Sequence, residues 1–257
     1  HYGLGSAEET LNGAVYKPAG VCYQQGWSET MVLQPVSEGM LGFAPDALSN
    51  KVALSPRFPW HWNEVKVDNI LFGDHRINLK MERTPASTRY SFDYAGGTGC
   101  GMAFSQALPL GTQIEKVLVN GKSVQFSTKN TGESLQLTLE QINLRGDVII
   151  EISHQGGIGA LPLVNEPKPG DSNQGAKIVG EELRDNKHTV TIEGLAGKSY
   201  QFNIVSNQAI RSVSNGKLVK KDGNQYTLEV LIPKGDKKYE ESKVVITLES
   251  FASASKK

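Results

Sequence analysis

The sequence has no long apolar run and no excess of charge of one sign. It contains 27 basic and 27 acidic residues among 257, so its formal net charge is zero. No global field then attracts phosphate backbones or anionic membranes, and we expect neither nucleic acid nor a membrane as a partner. Apolar runs such as Met31 to Leu33 and Val148 to Ile150 are far shorter than the roughly 20 residues that span a bilayer.

Cysteine is also scarce, and the histidines are scattered. Cys22 and Cys100 are too few for a disulfide framework, so we expect structural or free thiols. The histidines have no cysteine or carboxylate at the spacing of metal ligands. The sequence therefore predicts no metal site and no cofactor.

The composition that remains, 38% hydrophobic and 21% charged, is typical of a globular protein. Residues 1–24 are rich in Gly and Pro and predict mainly loop. Apolar residues at helical spacing, such as Val32, Val36 and Met40, predict one helix from about Ser28, as N-cap, to Leu41. Pro35 should kink this helix, because it removes one backbone hydrogen bond.

From Lys51 onward the apolar period changes from about 3.6 to 2, which is typical of half-buried strands. Turn signals such as Asn120-Gly121 separate these segments. The sequence thus predicts a mainly β protein, with an antiparallel β-sandwich over 48–257 preceded by a helical segment within 1–47.

The sandwich region shows a weak internal repeat. Asn120-Gly121-Lys122 and Asn215-Gly216-Lys217 occupy corresponding places in two strand series, which suggests similar halves at about 76–158 and 176–250. The alternative is that Asn-Gly hairpins simply recur in all-β proteins.

The N-terminal segment contains the groups that sugar hydrolysis needs, namely carboxyl groups and an aromatic ring. Glu8 and Glu9 lie in a loop bounded by glycines, whereas Glu29 lies in the predicted first helical turn beside Trp27. A loop carboxylate can face a pocket. Glu29 also has a structural explanation, because the helix dipole stabilises a negative charge at that position.

These residues stand within a longer pattern, which resembles a known family. The pattern comprises Glu8 to Gly13, Tyr16 to Cys22, Gln24 to Ser28, Glu38 to Gly42, Asp46-Ala47, Val52 to Pro56, Pro59 to Trp62, Val65 to Ile70 and Gly73-Asp74. It resembles the C-terminal end of the catalytic (α/α)6 barrel, and the entry into a β-sandwich, of bacterial amylo-α-1,6-glucosidase-like glycoside hydrolases, relatives of glycogen debranching enzymes and glucoamylases. The resemblance covers about residues 6–83.

The resemblance implies roles for individual residues. Glu9 best matches the general base that activates water, with Glu8 and Glu29 as competitors, while Trp27 and Gln25 would contact the sugar. Because Gln-Gly-Trp-Ser-Glu replaces the usual Gln-Ala-Trp-Ser, the role of Glu29 stays open. The implied reaction is inverting hydrolysis of α-glucosidic or similar linkages of an oligo- or polysaccharide.

The same resemblance places the general acid and most of the barrel upstream of His1. We therefore expect the 257-residue chain to be inactive by itself and to need an N-terminal catalytic barrel of the same protein. A non-catalytic carbohydrate-binding or structural β-sandwich module is the alternative.

Two other segments have plainer explanations. Trp60-His61-Trp62 could form a sugar platform, but packing at the junction between barrel and sandwich is favoured. The run Gly96 to Gly101 is rich in glycine but opens no helix, so we expect a flexible hairpin between two strands and no phosphate loop.

Overall fold

A computed structural model describes residues 12, 14, 15, 25–163, 168 and 174–250. The predicted fold class is confirmed, because these residues are mainly β and form antiparallel sheets in two sandwiches. None of the helices among them is long and apolar enough to cross a membrane.

The helical segment begins earlier than the sequence suggested and changes its winding at the proline. Helix α1 spans Gly26–Gln34, and a π-helical segment, Pro35–Met40, continues it. The prediction of Ser28 as the N-cap was wrong. Gln25 holds that position, and its side chain makes no capping hydrogen bond. Pro35 lacks an N–H and so cannot make the regular α-helical bond; here the chain passes into π-helical winding at that residue.

The first sandwich packs a five-stranded sheet on a six-stranded one. The five-stranded sheet has the order β1-β2-β6-β10-β9, and the six-stranded sheet has the order β3-β4-β5-β11-β7-β8. Its strands are β1 (Ala44–Asp46), β2 (Lys51–Leu54), β3 (Glu64–Phe72), β4 (His75–Thr84), β5 (Ser87–Ala95), β6 (Cys100–Leu108), β7 (Gln113–Val119), β8 (Lys122–Ser123), β9 (Ser127–Asn130), β10 (Leu135–Leu144) and β11 (Val148–Gln155). All of the strand pairs are antiparallel except β2 with β6.

The second sandwich is smaller and packs two four-stranded sheets, with orders β12-β15-β18-β17 and β13-β14-β19-β16. Its strands are β12 (Ile158–Pro162), β13 (Lys177–Arg184), β14 (Lys187–Leu195), β15 (Ser199–Ser206), β16 (Ile210–Ser214), β17 (Lys217–Asp222), β18 (Gln225–Leu231) and β19 (Tyr239–Leu248). Each sandwich has its own hydrophobic core.

The two sandwiches meet around the Gly156-Gly157 break. Leu110 and Ile158 form an isolated β-bridge, and the backbone N–H of Asn207 donates to the carbonyl of Gly157 over 3.0 Å. The Asn207 side-chain amide also donates to the carbonyl of Pro85 over 3.1 Å. Hydrogen bonds that involve backbone groups therefore join the two sandwiches.

The glycine-rich run was wrongly expected to form a hairpin. It connects β5 to β6, which lie in opposite sheets, so the chain crosses the sandwich there. Gly96 has φ +141°, and a Cβ atom at this position would overlap the carbonyl oxygen of Asp74. The glycine is thus required by the tightness of the crossing.

The two Asn-Gly-Lys turns also have different roles. Asn120-Gly121 closes the β7–β8 hairpin, with positive φ at both residues. Asn215-Gly216 instead leads from β16 in one sheet to β17 in the other. The shared sequence therefore marks two different connections.

We predict that the two cores respond separately to truncation. Phe104 is fully buried in the first core and Phe202 is 2% exposed in the second. Phe104→Ala should destabilise the first sandwich by about 3–5 kcal/mol, because it leaves a cavity. Peptide-resolved hydrogen exchange should show faster exchange in the first sandwich for this variant and in the second for Phe202→Ala. Equal losses in both sandwiches would contradict the prediction.

Candidate functional site

The residues predicted to bind sugar or to activate water all precede the first sandwich in the chain. Glu8 and Glu9, and the side chain of Glu29, lie outside the described residues. Gln25 is half-buried directly before α1, and Trp27 in its first turn is 67% exposed. The assignment of the general base therefore stays a prediction.

Helix α1 and its π-helical continuation have exposed apolar side chains on several sides. The exposed fractions are 67% for Trp27, 76% for Met31, 59% for Val32, 68% for Leu33 and 53% for Val36. Trp27 and Met31 lie one turn apart on one side, Val32 and Val36 lie on the next, and Leu33 faces a third. Polar residues such as Ser28, Thr30 and Gln34 stand between them, so the segment is mixed in character. Its apolar side chains would be buried only if other elements packed against more than one side of it.

The end of the helical segment is attached to the first sandwich. The carbonyl of Met40 accepts the backbone N–H of Arg57 over 2.7 Å, and the carbonyl of Gly42 accepts that of Ser55 over 3.1 Å. Leu41 is buried, and Phe43 packs against the first core. These contacts hold the segment at the sandwich by both backbone and core packing.

A buried arginine organises the segment that follows. Arg83, at the end of β4, is 6% exposed, and its Nη1 donates to the carbonyls of Pro59, Trp60 and Trp62 over 3.1, 3.0 and 3.3 Å. Its guanidinium carbon lies 4.3 Å from the centre of the Trp60 ring, a cation–π contact. The Trp60-His61-Trp62 segment is therefore held in place by Arg83.

Among the described residues, Arg83 has no carboxylate partner, and its Nε and Nη2 atoms have no hydrogen-bond partner. Burial lowers the pKa of Arg83, and the neighbouring Tyr90 partly offsets this effect. Burial likewise raises the pKa of Tyr90, whose hydroxyl donates to Gln106 Oε1. Tyr90 is 0% exposed and so is closed to a substrate, whereas Arg83 reaches the surface only slightly.

His154 lies on the other side of Trp60. The two ring centres are 5.8 Å apart, and His154 Nε2 lies 3.1 Å from the Thr88 hydroxyl. A hydroxyl beside an imidazole is the arrangement of a nucleophile with its base. However, Thr88 is 0% and His154 1% exposed, so no substrate reaches the pair. We assign the pair a packing role.

A second histidine pair lies in the other sandwich. His188 Nε2 is 2.8 Å from Glu181 Oε2, which also accepts the backbone N–H of Ala160 over 3.1 Å. His188 is fully buried, and no hydroxyl or thiol from the described residues bonds to it. The pair lacks a nucleophile, and its geometry suits a structural link between β12, β13 and β14.

The described residues contain no group of three or more His, Cys, Asp or Glu side chains that could hold a metal ion. Cys100 is a free thiol and buried, and burial raises its pKa. A raised pKa leaves less of the reactive thiolate. Cys22 lies outside the described residues.

A shallow cleft separates the two sandwiches. It has a volume of about 210 Å³ and is lined by Trp60, His61 and Arg83 from the first sandwich and by Asn207 and Asn224 from the second. Asn224 Nδ2 donates to Asn207 Oδ1 over 2.7 Å, so these two amides bond to each other within the wall that the second sandwich provides. The tryptophan segment thus packs at the interface between the sandwiches, although Trp62 remains 40% exposed.

Comparisons of the chain with protein-family models and with curated proteins found no match.

We predict that His154 makes the stability of the first sandwich depend on pH. Burial, with repulsion from Arg83, lowers the pKa of His154 from 6.5 to about 4. The unfolded chain therefore binds this proton at a higher pH than the folded chain does. The contribution to stability is complete above pH 6.5 and is lost as the pH falls from about 6.5 to about 4.

Urea unfolding at a series of pH values measures this contribution. His154→Gln should lower the stability at pH 7, because it disturbs a buried contact, and should remove the loss between pH 6.5 and 4 that belongs to this imidazole. If the wild-type and variant profiles run parallel across that interval, the assignment is wrong.

Proposed function

We propose that this chain is the C-terminal part of a glycoside hydrolase that hydrolyses α-glucosidic or similar linkages with inversion. In this proposal the helical segment belongs to a catalytic (α/α)6 barrel, and the two sandwiches form its accessory region. The chain by itself is then inactive.

The observation that carries the proposal is the helical segment with five exposed apolar side chains on several of its sides. Leaving five large apolar side chains in water is unfavourable, because burial of each contributes roughly 1.5–3 kcal/mol. A single sheet face covers only one side of a helix, whereas neighbouring helices of a barrel can cover several. The hydrogen bonds of Met40 and Gly42 to the segment after β2 support a defined position of the helix beside the sandwich.

The proposed chemistry needs two carboxyl groups on opposite faces of the sugar. An upstream carboxylic acid protonates the leaving oxygen while Glu9 removes a proton from the attacking water. In inverting enzymes these groups are roughly 6.5–9.5 Å apart, which leaves room for that water. Trp27 would stack on the sugar ring, and Gln25 would bond to a hydroxyl group.

We predict that Glu9 is essential in the polypeptide extended upstream of His1. Glu9→Gln should reduce kcat by several orders of magnitude with little change in KM, because it removes the base and keeps the shape. Hydrolysis of maltooligosaccharides measures this effect.

Glu8→Gln is the matched control and should retain most of the activity. Unchanged kcat in Glu9→Gln would move the role to Glu8 or Glu29. Turnover of maltooligosaccharides or aryl glycosides by the 257-residue chain alone would contradict the claim that its general acid lies upstream.

A second prediction concerns the helix surface. Leu33→Glu in the 257-residue chain should change the free energy of unfolding by less than about 0.5 kcal/mol, because the side chain is 68% exposed there. In the extended polypeptide the same change should cost about 2–5 kcal/mol, since it removes a buried leucine and buries a carboxylate.

Leu231→Glu is the matched control, because Leu231 is 63% exposed in the second sandwich, away from the helix. It should have little effect in either polypeptide. Equal, small effects of Leu33→Glu in both would favour the alternative, a binding or structural module with no enclosing helical domain.

A further inference from the structure

A cavity of about 480 Å³ opens at one edge of the first sandwich. It forms where the chain crosses from β8 to β9, between the two sheets. Its lining residues are Val119, Asn120, Val124, Gln125, Phe126, Ser127, Thr138, Leu139, Glu140, Gln141, Ile142, Asn143 and Val148. Strand β9 pairs with β10 only as far as Thr138, so the rest of β10 forms an open edge beside the cavity.

A β-bulge in β10 shapes the cavity wall. Leu139 pairs with Phe104 and Ile142 with Met102, so Glu140 and Gln141 together lie opposite the single residue Ala103. Bulges redirect side chains and often lie beside functional sites. Here Leu139 and Ile142 both remain buried, while Glu140 and Gln141 are exposed.

The bulge also borders a second cavity on the outer face of the five-stranded sheet. This cavity has a volume of about 340 Å³ and shares Glu140 and Gln141 with the first. Small residues, Ala53, Gly101 and Ala103, contribute to its lining. The two cavities and the bulge between them, which we call the bulge groove, form two adjoining compartments.

The lining of the 480 Å³ cavity combines an apolar floor with a polar rim. Leu139, Ile142 and Val148 are buried in the floor, and the ring of Phe126 is 37% exposed. The polar lining side chains that form no hydrogen bond or ion pair with any described residue are Gln125, Ser127, Glu140, Gln141 and Asn143. The Asn120 side-chain oxygen accepts the Ile149 backbone N–H over 2.7 Å, which leaves its amide nitrogen to donate.

The side chains that line the cavity favour one class of ligand. Amides both donate and accept, as sugar hydroxyl groups do, and a carboxylate accepts strongly. The lining of the 480 Å³ cavity has no basic residue and includes Glu140, which disfavours phosphate and other anions. The 340 Å³ cavity has one residue of each charge, Lys51 and Asp46. The exposed aromatic ring and the apolar floor suit the C–H face of a pyranose ring.

We propose that the bulge groove binds a neutral oligosaccharide, as a site separate from the proposed catalytic centre. One compartment would accept the sugar that lies on Phe126, and the chain would continue past Glu140 and Gln141 into the second. The site needs only the first sandwich, so it stands whether or not the chain belongs to an enzyme.

Calorimetric titration of the 257-residue chain with neutral oligosaccharides tests the proposal. The probes are maltoheptaose, isomaltotriose, cellohexaose and xylohexaose. At least one should bind, and amide chemical-shift changes should map to residues 124–127 and 139–143. Phe126→Ala and Gln141→Ala should each weaken binding about tenfold, the effect of losing one stacked ring or one hydrogen bond.

Matched controls separate local from general effects. Tyr239→Ala removes a ring that is 41% exposed in the second sandwich, and Gln201→Ala removes an exposed amide there. Both should bind within about twofold of the wild type.

No binding by any of the four sugars would overturn the proposal, as would shift changes confined to Trp60, Trp62 and the inter-sandwich cleft. Binding of a β-strand peptide or of decanoate at residues 139–143, without any sugar binding, would also overturn it. Inactive Glu9 variants of the extended polypeptide would leave this result unchanged, so the two proposals fail separately.

Discussion

The two-residue period of the strands is the constraint on which both sandwiches depend. Each sheet must turn one face to its partner, and every second side chain then enters the core. In the first sandwich this places Tyr90, Phe92 and Phe104 together, with Tyr90 and Phe104 in edge-to-face contact at 4.9 Å. Such aromatic contacts add to the burial of large apolar areas. The same alternation along each strand determines which polar side chains are buried.

This alternation explains the buried polar groups. Arg83 follows Ile77, Leu79 and Met81 at the inward positions of β4, and His154 follows Ile150 and Ile152 in β11. The pleat delivers both side chains to the interior, where desolvation opposes their charged forms. Three carbonyl groups and the Trp60 ring offset part of that cost for Arg83. His154 avoids the cost by staying neutral. Their shifted pKa values thus arise from strand register and give no evidence of catalysis.

The sequence carried enough information for the fold class and the strands, because the period of apolar residues is a direct record of burial. It did not distinguish a hairpin from a crossing between sheets at Gly96 to Gly101, since glycine permits both. The positions of the apolar residues in β10 do indicate the bulge. Leu135, Leu137 and Leu139 alternate on odd positions, whereas Ile142 and Leu144 continue on even ones. The residue types of the N-terminal segment indicated suitable carboxylates, but the role of Glu9 as general base came only from the resemblance, because a single glutamate leaves no periodic signal.

Strand β1 connects the helical segment to the bulge groove. The two have opposite requirements for exposure to solvent. Exposed apolar side chains on a helix gain stability when another element covers them, whereas the proposed sugar site must remain open. Strand β1 directly follows the π-helical segment, and its Ala44 and Asp46 line the 340 Å³ cavity. A domain that encloses the helix would therefore stand beside one end of the groove, while Phe126 lies in the other compartment. An oligosaccharide in the groove would extend along the sandwich toward that domain. If both proposals hold, the backbone hydrogen bonds at Met40 and Gly42 would keep the groove in line with that domain.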